Sequence, residues 1–61
     1  MYETFKKLLE EHNTTAYQVS KATGIAPTCF SDWKSGKYKP KFDKLCKIAD
    51  YFGVNVNIFA S

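Results

Sequence analysis

The chain has 61 residues, 44% apolar and 16% aromatic, with nine lysines against six acids for a net charge of +3. That length allows one small core and no second, so residues 1–61 are expected to form a single domain held by tight packing rather than by size. A nucleophile–base pair, a carboxylate pair and a phosphate loop are all missing, which argues against an enzyme; no apolar run approaches the roughly 20 residues of a membrane span, Met1-Tyr2-Glu3 does not open a secretory signal, and the expected compartment is the cytoplasm.

Tyr2, Phe5, Leu8 and Leu9 recur at helical spacing among Glu3, Lys6, Lys7, Glu10 and Glu11, predicting an amphipathic helix over about 2–12. His12 closes it, where a partly charged imidazole complements the helix dipole. Thr15-Ala16-Tyr17-Gln18 has the form of a capping box, in which the Thr15 hydroxyl and the Gln18 side chain satisfy each other's backbone donors, so a second helix starts there and stops at Gly24. Pro27 suits the first turn of a third helix, with Phe30 and Trp33 on its inward face and Ser35-Gly36 at its end. Lys37-Tyr38-Lys39-Pro40 is a basic loop, in which Tyr38 either packs locally or touches sugar or phosphate. Phe42, Leu45, Ile48, Ala49 and Phe52 form the apolar stripe of a fourth helix that ends at Gly53. The segment 54–59 alternates as a strand would, but it has no partner strand, and Asn55 can cap a last helical turn bearing Phe59; a short helix is predicted. The expected fold is all-α, a compact bundle of four to five short helices, with Phe30, Trp33, Phe42, Phe52 and the first-helix aromatics in its core.

The positive charge is clustered. Lys34, Lys37, Lys39, Lys41, Lys44 and Lys47 share one stretch with Asp43 as the single acid among them, whereas Lys6, Lys7 and Lys21 are balanced by Glu3, Glu10 and Glu11. Cys29 and Cys46 are too sparse for a disulfide scaffold or a zinc site and read as reduced thiols, Cys46 as a core or boundary filler. No cofactor, metal or small-molecule ligand is expected.

Two short helices joined by a glycine-containing turn make a helix-turn-helix when the second can project into the DNA major groove, and residues 16–35 fit that spacing. Val19, Ile25, Phe30 and Trp33 would lock the crossing, Ser20 is small where the helices come closest, Gly24 makes the turn, and Thr23 is a polar occupant of a usually apolar slot. Residues 15–25, Ser31-Asp32-Trp33-Lys34-Ser35-Gly36-Lys37, Pro40, and Leu45-Cys46-Lys47-Ile48-Ala49-Asp50-Tyr51-Phe52-Gly53-Val54 together resemble the Cro and lambda-repressor-like (XRE) helix-turn-helix family, in particular the small repressors of phages and mobile elements of Gram-positive bacteria. The resemblance covers nearly the whole chain and implies a five-helix domain.

The same resemblance implies that the early residues of the third helix read bases, here Pro27, Thr28, Ser31 and Asp32. Pro27 can offer only apolar contact, such as to a thymine methyl, and Thr28 can do that or hydrogen-bond to a base edge. Asp32 must accept from a cytosine amino group, pair with a nearby lysine, or act against wrong sequences. Phosphate contacts are expected from the start of the second helix, with Thr15, Tyr17 and Gln18, and from Lys34, Ser35, Lys37, Lys39 and Lys41. The chain has no arginine, so the bidentate guanine contact is available only in its weaker lysine form. The function implied is a sequence-specific double-stranded DNA-binding regulator, of the repressor type, that inserts helix 27–34 into the major groove. It would act as a homodimer on an inverted repeat, with Ile58 and Phe59 as the dimer contact. The competing reading is a protein-interaction module, of antitoxin or anti-repressor type, on the same frame. Cys29 lies beside the reading positions, where oxidation could switch binding.

Overall fold

A computed structural model describes residues 1–60 as four α-helices and a terminal 3₁₀ turn: α1 (Tyr2–Glu11), α2 (Ala16–Thr23), α3 (Pro27–Ser35), α4 (Phe42–Phe52) and the turn Val56–Phe59. Each lies close to the span expected from periodicity and punctuation. α1 ends at His12, whose N–H makes the last i→i−4 bond, to the Leu8 carbonyl at 2.9 Å, and whose ring lies 5.0 Å from that of Phe52 at the edge of the core. The chain reverses through Asn13, at φ +52°, a conformation asparagine tolerates better than most residues. Asn55 accepts the Asn57 N–H at 2.8 Å and caps the terminal turn, which settles that segment as helical.

The core is an aromatic cluster assembled from every element except α2. Phe5 is fully buried at its centre, stacked on Phe30 at 5.0 Å and Trp33 at 5.2 Å and edge-on to Phe52 at 6.2 Å. Tyr2 stands edge-on to Trp33 at 5.5 Å, and α2 adds the fully buried Val19. Offset and edge-on arrangements of this kind add to the burial term because ring edges and faces carry opposite partial charge.

Two sequence expectations fail here. Phe42 is not core: it is 68% exposed, because it is the first residue of α4 and projects beyond the later turns, which pack on α2 and the terminal turn. Leu45, one turn on, is buried. Leu45→Ala should therefore cost about 2–5 kcal/mol, as large core truncations do, whereas Phe42→Ala should stay within about 0.5 kcal/mol; urea denaturation of the two variants reads the difference directly.

Phe59 is the second correction. Expected at a contact with another chain, it is instead 2% exposed, with its ring 6.1 Å from that of Trp33. A 3₁₀ turn carries about three residues per turn, so Phe59 points inward while its neighbour Ile58 stays half-buried at the rim. Of the two expected dimer residues, only Ile58 retains surface to offer.

Candidate nucleic-acid interface

The turn between α2 and α3 sets the angle at which α3 leaves the bundle, and hydroxyl groups hold it. Gly24 adopts φ +78°, which a side chain would strain. Around it the buried Ser20 hydroxyl donates to the Ile25 carbonyl at 2.6 Å, Thr23 donates to the Val19 carbonyl at 2.7 Å, and Thr23 Oγ1 accepts the Ile25 N–H at 3.3 Å. The polar residue in the apolar slot is thereby explained: Thr23 ties the last turn of α2 to the chain that follows. Ser20 is small, as expected, and also supplies the partner that the Ile25 carbonyl needs.

α3 turns Phe30 and Trp33 into the core and leaves Cys29 half-buried. At 100° per residue its outward ridge is then Thr28, Ser31 and Ser35, with Asp32 on one flank and Pro27 and Lys34 on the other, all six exposed. The four residues expected to read bases thus share one solvent-facing surface. Ser35 is differently engaged: its hydroxyl donates to the Asp32 carbonyl at 3.1 Å, so its single proton is directed at the backbone rather than toward a phosphate. The same carbonyl accepts the N–H of Lys37 at 2.9 Å and of Tyr38 at 3.3 Å, fastening the loop to the end of α3.

The flank carrying Lys34 borders α2. Ala16, Tyr17, Pro27, Ser31 and Lys34 line one shallow groove, which brings two of the expected phosphate residues and two of the expected base readers together. Tyr17 is 61% exposed and holds the Lys21 ammonium 5.4 Å from its ring centre, so a cation sits at this edge that was assigned no role on sequence. The expected capping box is only half formed. Thr15 Oγ1 accepts the Gln18 N–H at 3.2 Å, but Gln18 Oε1 accepts from the Thr14 hydroxyl at 2.6 Å instead of returning to Thr15. The Thr15 hydroxyl proton and the Gln18 amide hydrogens therefore stay available to an anion.

Beyond α3 the loop alternates. Lys37, Lys39 and Lys41 are exposed, while Tyr38 is half-buried and Pro40 buried between them. Tyr38 thus packs locally and steers the flanking lysines outward. The Lys44 ammonium lies 5.8 Å from the Tyr38 ring centre, and the neighbouring Tyr38 hydroxyl raises its pKa. α4 then begins at Lys41 with no side-chain cap, its first backbone bond being Leu45 N–H to the Lys41 carbonyl at 3.0 Å. The N–H groups of Phe42, Asp43 and Lys44 are left without helical acceptors, beside three lysines. Sequence reasoning overlooked this feature, although a lysine in place of Ser, Thr, Asp or Asn at the cap was its signal.

Small all-helical architecture, a glycine turn between α2 and α3, and a solvent-facing α3 followed by an outward row of lysines together define a helix-turn-helix domain. A helix-turn-helix family model matches residues 5–59, and the chain belongs to that family, the Cro and lambda-repressor type. The family comprises DNA-binding regulatory domains, so double-stranded DNA is the class of partner. No curated protein and no solved structure matches the chain significantly. Among the described residues, no helix is long and apolar enough to cross a membrane.

Proposed function

We propose that this chain is a sequence-specific transcriptional repressor of the phage type, reading the major groove with the exposed side of α3. The observation that carries this reading is the composition of that side: small polar groups at Thr28 and Ser31, bounded by Pro27 and Asp32 and continued by the exposed Lys34, Lys37, Lys39 and Lys41. Small side chains let the helix approach base edges closely, and the lysines supply the sequence-independent attraction that any such approach needs. Thr15, Tyr17 and Gln18 at the start of α2, and the uncapped start of α4, are the remaining phosphate contacts.

The chain acts as a homodimer on an inverted repeat, which places two copies of α3 about one turn of DNA apart. With Phe59 in the core, the apolar rim at Ile58 and Val56 is the surface assigned to the dimer contact. The exposed Phe42 favours one second reading, a protein-interaction module of antitoxin or anti-repressor type on the same frame. Selection of duplexes from a random DNA library, followed by sequencing, separates the two. Enrichment of an inverted repeat is expected. A single unrepeated half-site would remove the dimer, and no enrichment by folded protein would remove the DNA-reading assignment in favour of a protein partner.

A further inference from the structure

We infer that Asp32 is the principal specificity residue of the reading surface and that it demands a cytosine at one position of each half-site, an assignment that rests on the major-groove reading above. Three ways of accommodating this acid are open on sequence alone, and the structure reduces them. Among the described residues, the structure holds the Asp32 carboxylate in no side-chain hydrogen bond, although Lys34 and Lys37 are close in sequence. Its backbone carbonyl is the group in use, holding Ser35, Lys37 and Tyr38. The residue is thus anchored through its main chain while its charged side chain remains exposed and unpartnered.

Such a carboxylate accepts hydrogen bonds and donates none. In the major groove the acceptors N7 and O6 of guanine, N7 of adenine and O4 of thymine all repel it, and the attractive groups are the exocyclic amines of cytosine and adenine. These two amines differ in their surroundings. The adenine amine lies between its own N7 and the O4 of the paired thymine, so a carboxylate there meets an acceptor on each side. The cytosine amine has a C–H on one side and only the guanine O6 on the other. Cytosine is therefore the base that a lone aspartate selects.

Its neighbours sharpen the effect. Thr28 and Ser31 carry hydroxyls that can donate or accept and so discriminate weakly, and Pro27 offers only apolar contact. Asp32 is the one acceptor-only group on this surface, and its donor-only counterpart on the opposite flank, Lys34, is assigned to phosphate. The surrounding lysines make the nearby phosphates approachable, so the acid can reject wrong bases without preventing docking.

Duplex selection with the unsubstituted chain, Asp32→Ala and Asp32→Asn tests this, with thermal melting to show that each variant folds; the exposed side chain makes folding of both expected. The unsubstituted chain should retain half-sites with one invariant cytosine. Asp32→Ala should erase the preference at that position alone, on the order of 10- to 100-fold in relative affinity, and should bind unrelated DNA more tightly. Asp32→Asn should move the preference toward adenine, with which an amide pairs bidentately. If Asp32→Ala leaves every position of the retained sequence unchanged, or if the position that it erases is not cytosine, the assignment is wrong while DNA reading stands. If the unsubstituted chain retains no sequence at all, DNA reading fails and the assignment fails with it.

Discussion

Phe5→Ala is expected to leave no cooperatively folded protein at 37 °C. The side chain is fully buried and touches the rings of Phe30, Trp33 and Phe52, so its removal deletes the point at which α1, α3 and α4 meet. Truncating a buried phenylalanine costs about 3–5 kcal/mol. A domain of this size has a total stability of roughly 3–9 kcal/mol, from about 0.05–0.15 kcal/mol per residue, so the loss is comparable to the whole. Circular dichroism should show the sigmoidal melt of the parent replaced by a shallow slope, with helicity reduced even in the cold. A variant that still melts sharply within about 5 °C of the parent would mean that the neighbouring rings collapse into the space and that the core tolerates far more than close packing allows.

Replacing Lys37 and Lys39 together by glutamine is expected to weaken binding to every DNA sequence alike. Both side chains are exposed, set outward by Tyr38 and Pro40, so the fold should be untouched. Each phosphate contact contributes about 0.9 to the slope of log affinity against log salt. Losing two makes the slope shallower by about 1.8, which over a tenfold range of salt corresponds to roughly 60-fold in affinity at the lower end. Fluorescence anisotropy with a selected duplex and an unrelated one, at several salt concentrations, measures both quantities. A loss confined to the selected duplex would place these lysines on base edges instead of phosphates.

How far the fold was legible can be judged at particular residues. Gly24, Pro27, Gly36 and Gly53 mark helix boundaries through constraints that are local to the chain, and the structure puts the boundaries where those residues stand. Phe42 and Phe59 were misplaced for one shared reason: helical periodicity gives the direction of a side chain but not whether another element lies in that direction. Phe42 points past the end of the bundle, and Phe59 points back at Trp33 across a separation of 26 residues. Only the tertiary arrangement decides such cases.

The candidate site was legible in its membership more than in its wiring. The lysines of the loop stood out by charge, and their alternation with Tyr38 and Pro40 was written in the sequence as a period of two. That Thr14 competes for Gln18, that Ser35 is occupied by the Asp32 carbonyl, and that α4 starts uncapped all depend on which of several possible partners a short polar side chain meets. Composition lists those partners without ranking them.

Trp33 is the one tryptophan of the chain, and it lies on the inner side of the very helix assigned to read DNA, in contact with Tyr2, Phe5 and Phe59. The molecule therefore carries a built-in optical gauge. Indole emission responds to the polarity and rigidity of its surroundings, and here those surroundings are supplied jointly by the first helix, the recognition helix and the terminal turn next to Ile58. Any repositioning of α3 on docking, or of the terminal turn on association, has to register at this one chromophore, without a label and without disturbing the surface that touches the partner.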